Sequence, residues 1–120
     1  MRQIETKYMQ YINPNDPLVR RTVCEIVKDR QFGDVKSIIF RIHSWVVSNI
    51  QHSEEPLGVS NEFLPSEVLK NRRTTCFGAS ILLCSMLRMF LDENSVFVVV
   101  TKKKASAFKM HAFVIVKDEK

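Results

Sequence analysis

A thiol and an imidazole held together make a nucleophile that works at neutral pH. The chain offers three cysteines, Cys24, Cys76 and Cys84, and three histidines, His43, His52 and His111, from which such a pair could be drawn. The thiolate attacks a carbonyl carbon once an imidazole has taken the thiol proton, so position decides which residues qualify. Cys76 follows the polar stretch Arg72-Arg73-Thr74-Thr75 and opens a nearly all-apolar segment that runs to Leu91. That spacing predicts a helix beginning at Cys76, where unpaired backbone N–H groups and the helix dipole favour negative charge. His111 lies in Lys109-Met110-His111-Ala112-Phe113-Val114-Ile115-Val116, a run of strand composition that could set an imidazole beside the sulfur.

The other candidates read as structural. Cys84 falls inside the apolar helix and Cys24 on the flank of an earlier one, so both are expected in the core. His43 stands one step off an apolar stripe, and Trp45 on that stripe is expected as a core aromatic. Neither C-x-x-C nor H-x-x-x-H occurs, and Gly33, Gly58 and Gly78 are isolated, so no metal, nucleotide or other cofactor is expected.

The elements that must position the pair follow from periodicity. Asp16-Pro17 caps and opens a helix carrying Leu18, Val19, Val23, Ile26 and Val27, which is expected to close near Gln31-Phe32-Gly33. Asp34 caps a second, with Val35, Ile38, Ile39, Ile42, Trp45, Val46 and Ile50 on one face. His52 to Leu64 has no sustained period and reads as a loop, and Pro65 opens a short helix. Cys76 to Leu91 is apolar on most sides and must be enclosed on most sides. Val96 to Thr101 and Ala107 to Lys117 read as an antiparallel hairpin. A buried helix on a small antiparallel sheet is an α+β arrangement, and 120 residues make one domain, 1–120.

The words around the two residues carry a resemblance. Pro65-Ser66-Glu67-Val68-Leu69-Lys70-Asn71-Arg72-Arg73-Thr74-Thr75-Cys76-Phe77-Gly78-Ala79 resembles the approach to the nucleophile in the transglutaminase-like superfamily. Ile81 to Arg88, ending in Leu87-Arg88, is similar to that family's central helix, and His111-Ala112-Phe113-Val114 to its His-Ala-aromatic strand. Trp45 to His52 resembles the helix before its active-site loop. The resemblance spans residues 11–117 and implies a papain-like, transglutaminase-core fold with Cys76 as nucleophile and His111 as base. It also implies an oxyanion site made by the backbone N–H of Cys76 and a second donor from Gln51 or His52.

Two departures stand out. A glycine often found two residues before the nucleophile is Thr74 here. The acidic or amide third member sits in the family on the strand after the histidine, which in this chain would lie beyond Lys120. Asp118 is the acidic residue that could take its place, and in the charged Lys117-Asp118-Glu119-Lys120 end it reads as solvated. The pair is therefore expected to lack a firmly held carboxylate, with weak turnover in isolation.

The expected activity is cysteine-dependent acyl transfer on a peptide or amide carbonyl through a thioester, as a hydrolase rather than a cross-linking transglutaminase. The alternative is a catalytically weak or inactive domain of the same type that binds protein. The partner is then a protein or peptide. A net charge of +5 is spread along the chain, and its densest run, Lys102-Lys103-Lys104, falls in a hairpin loop, so nucleic acid is not the expected partner. The odd cysteine count, and the lack of an apolar leader or a span of roughly eighteen apolar residues, give the expectation of a cytoplasmic protein that does not enter the membrane.

Overall fold

Capping residues and apolar stripes set the helices where the sequence places them. In the computed structural model, residues 6–28, 34–102 and 110–117 are described, with backbone alone at 6–8, 100–102, 110 and 111. After a 3-10 helix Thr6–Tyr11 come α1 (Pro17–Val27), α2 (Val35–Asn49), β1 (Gln51–His52), α3 (Pro65–Asn71), β2 (Arg73–Thr74), α4 (Cys76–Leu87), β3 (Val96–Lys102) and β4 (Met110–Val116). The class is α+β, with four α-helices and two two-stranded sheets among the described residues.

Asp16 satisfies two of the orphan donors of α1, its carboxylate accepting from Leu18 N at 2.8 Å and Val19 N at 3.2 Å, with Pro17 preset at the first turn. Asp34 does the same for Lys36 N at 3.1 Å in α2. The expected closing of α1 at Gln31-Phe32-Gly33 lies outside the described residues. The buried stripe of α2 is Ile38, Ile42 and Val46, whereas Val35 in its first turn is exposed.

α4 is the centre of the molecule. Ile81, Leu82, Cys84, Ser85 and Met86 are fully buried, and the helix packs on α1, α2, α3, β3 and β4. Burial of each large apolar side chain there contributes roughly 1.5–3 kcal/mol. Ser85 ties the amino-terminal segment to this helix: its Oγ donates to Ile81 O at 2.8 Å and accepts from Asn13 N at 2.9 Å. At the other end the Arg88 guanidinium donates twice to Val96 O, from Nε at 3.2 Å and Nη2 at 2.8 Å, fixing where β3 starts.

β3 and β4 pair antiparallel with Val96 opposite Val116 and Thr101 opposite His111. The inner face of the hairpin includes Val96, Val98 and Ala112, buried against α4, while Phe113 and Ile115 reach solvent. One pairing has no counterpart in the hydropathy pattern. β1 and β2 form a two-residue parallel bridge, Gln51 opposite Arg73 and His52 opposite Thr74, closed by Gln51 N to Arg72 O and Ser53 N to Thr74 O, each at 2.8 Å. Among the described residues no helix is long and apolar enough to cross a membrane.

Candidate functional site

Cys76 is the first residue of α4, capped by Thr75, whose Oγ1 accepts from Phe77 N at 3.3 Å. Its side chain is half-buried and carries a free thiol. At the first helical position the N–H of Cys76 has no intrahelical acceptor and faces the space in front of the helix.

The sulfur meets the hairpin. The backbone N–H of Ala112 donates to Cys76 Sγ at 3.4 Å, well within the range of an N–H···S contact. The structure thereby brings the His111-Ala112 step of β4 to Cys76, although 36 residues separate donor and acceptor. The backbone of His111 lies in β4 opposite Thr101. Its imidazole lies outside the described residues, as does all of Asp118.

Gln51 and His52 both arrive near Cys76 through the β1–β2 bridge, His52 facing a residue two positions before the cysteine. Both side chains are exposed, and His52 Nε2 lies 3.7 Å from Glu54 Oε2 at the surface. They are thus delivered towards the amino-terminal end of α4 by a pairing too short to leave any periodic trace.

Thr74 fits because of Gly78. A β-carbon at position 78 would overlap Thr74 Oγ1, so the threonine side chain occupies the space that the glycine leaves in the first turn of α4. The Thr74 hydroxyl oxygen is buried there with no hydrogen-bond partner.

The remaining cysteines divide. Cys84 is fully buried, its S–H directed to Val96 O at 3.8 Å. Burial pushes its thiol up to about 11, with the nearby Arg88 charge opposing. Cys24, expected in the core, is exposed instead: Val19, Val23, Ile26 and Val27 define the buried side of α1 and leave position 24 off it. Trp45 likewise is only half-buried, with the Arg72 guanidinium 5.2 Å from its ring centroid. Among the described residues no three His, Cys, Asp or Glu side chains converge as metal ligands. No family model, curated protein or solved structure matches the chain.

Proposed function

We propose that the domain has a papain-like, transglutaminase-core fold and carries out cysteine-dependent acyl transfer on a peptide or amide carbonyl, with Cys76 as nucleophile and His111 as general base. The observation that supports this is the Ala112 N–H bonded to Cys76 Sγ at 3.4 Å, since it sets the residue next to His111 against the thiol at the start of a buried helix. His111 takes the Cys76 proton, the sulfur bonds to the carbonyl carbon, and negative charge passes to the carbonyl oxygen. The Cys76 N–H, unpaired at the helix start, receives that oxygen, with Gln51 or His52 as the second donor. The imidazolium then protonates the leaving amine as the C–N bond breaks, leaving a thioester. Water, deprotonated by His111, cleaves the thioester to a carboxylic acid and regenerates the thiol. Water is the preferred acceptor; an amine in its place gives transamidation.

The test is alkylation of Cys76 by iodoacetamide as a function of pH, alongside turnover of a panel of fluorogenic amides. His111→Gln should remove the low-pH reactivity of Cys76 and any turnover, and Asp118→Asn should leave alkylation unchanged. Equal pH profiles for the parent and His111→Gln would refute the pair.

A further inference from the structure

Away from Cys76, α1 and α2 enclose an open cleft that continues towards the end of α3. One part, about 490 Å³, is lined by Arg41, Trp45, Glu25 and Asn49 among others. It adjoins a second, about 330 Å³, that shares Glu25, Trp45 and Asn49 and adds Arg21 and Arg72. Three guanidinium groups, drawn from α1, α2 and the residue after α3, therefore face one continuous space.

Arg72 is held in place without a carboxylate, and Arg41 carries an unsatisfied donor. The Nε of Arg41 is buried and has no hydrogen-bond partner, which leaves one N–H donor of a half-buried guanidinium without an acceptor. Arg72 is pinned by its Nε to Leu69 O at 2.8 Å and by its position over Trp45. The ion pairs among the described residues, His52 with Glu54 and Lys70 with Glu67, involve none of the three arginines. Preorganised guanidinium forks beside an aromatic face match planar anions, which they take through paired N–H donors.

We propose that this cleft binds an acidic polypeptide segment through its side-chain carboxylates. Glu25, central to both parts of the cleft, disfavours a continuous phosphodiester backbone but is tolerated by carboxylates spaced along a peptide. The carbonyl of Arg72 also accepts from Gln51 N of the β1–β2 bridge, which fixes the backbone that carries this guanidinium. Binding in the cleft holds whether or not Cys76 reacts, and it can be measured in Cys76→Ala.

Trp45 is the only tryptophan in the chain, so intrinsic fluorescence reports on the cleft directly. Acetylated, amidated hexaglutamate should change Trp45 emission saturably at about 0.15 M salt, while hexaglutamine should not. Calorimetry gives the same affinities without relying on the indole. Arg41→Gln and Arg72→Gln should each weaken binding about tenfold, the loss of one charge-assisted contact, and Lys70→Gln should leave it unchanged. Glu25→Gln should tighten it about threefold by removing a like charge, a gain that misfolding cannot mimic. An equal response to hexaglutamine, unchanged binding in both arginine variants, or no gain with Glu25→Gln overturns the proposal. Tighter, arginine-dependent binding of a short oligothymidine or of inorganic phosphate overturns the assignment to a peptide.

Discussion

The amide of Ala112 and the sulfur of Cys76 are hydrogen-bonded at 3.4 Å, the main chain of β4 donating to the first side chain of α4. This contact locks the hairpin against the helix start. It predicts that alkylation of Cys76, which alters the acceptor, shifts the Ala112 amide resonance more than those of Phe113 or Val114. An Ala112 resonance that stays in place on alkylation would show that the contact is absent in solution.

Thiol labelling should separate the three cysteines by environment. Cys76 should react below about pH 8, Cys24 as an ordinary surface thiol, and Cys84 only on unfolding, because it is fully buried. Mass spectrometry of peptides after a short iodoacetamide pulse gives the order, and a Cys76 that lags behind Cys24 at neutral pH would contradict an activated nucleophile.

Cys84 makes alkaline stability depend on one thiol. Folded, it keeps its proton up to about 11, whereas unfolded it releases it near its ordinary value of 9.0. Between those values the folded state holds more proton, so the contribution of this thiol is complete below pH 9 and is lost as pH rises toward 11. The full span corresponds to roughly 2–3 kcal/mol. Replacing the thiol in Cys84→Ala should flatten this part of the denaturation profile relative to the parent, even though the variant is less stable at neutral pH.

Thr74 and Gly78 should be energetically coupled. Gly78→Ala forces its new methyl onto Thr74 Oγ1 and should cost about 1–3 kcal/mol as overpacking. Adding Thr74→Gly should recover part of that loss, a non-additivity that urea melts of the four proteins in the cycle measure. Thr74→Val, which removes the unpartnered hydroxyl at nearly constant shape, should be neutral or slightly stabilising.

Glu62 holds the 53–64 loop. Its two oxygens accept from Leu57 N and Gly58 N, each at 2.7 Å, and the side chain is buried. Glu62→Ala should cost about 1.5–3 kcal/mol, the range for hydrogen bonds to a charged group, and should expose the loop to limited proteolysis while α4 remains protected.

Much of the fold was legible because its signals are local. Asp16-Pro17, Asp34 and Pro65 each mark a helix start that the structure realises, and the apolar run from Cys76 forms an enclosed helix, though it ends at Leu87 with Arg88 as its cap and not at Leu91. The β-rich end paired as a hairpin for the same reason. What the sequence did not carry is non-local or too short to have a period. Two-residue strands leave no alternation, so Gln51-His52 and Arg73-Thr74 carry no strand signal. Cys24 sits next to a buried stripe in sequence but off it in rotation, a difference of one position that periodicity alone resolves poorly. The arginines of the cleft come from separate elements, and the amide that meets Cys76 Sγ belongs to the backbone, which has no residue signature.

The β1–β2 bridge has a further consequence for how such a domain could diversify. Gln51 and Ser53 on one side are stitched to Arg72 and Thr74 on the other, and the loop between Ser53 and Leu64 is braced from within by Glu62. The span is thus an interchangeable cassette: its ends are anchored to a fixed frame. Replacement loops of other lengths can be grafted between those anchors, at a small entropic cost for added length, while the register of the segment entering α4 is preserved. New surface shapes can accordingly be tried beside Cys76 without re-evolving the helix that presents it.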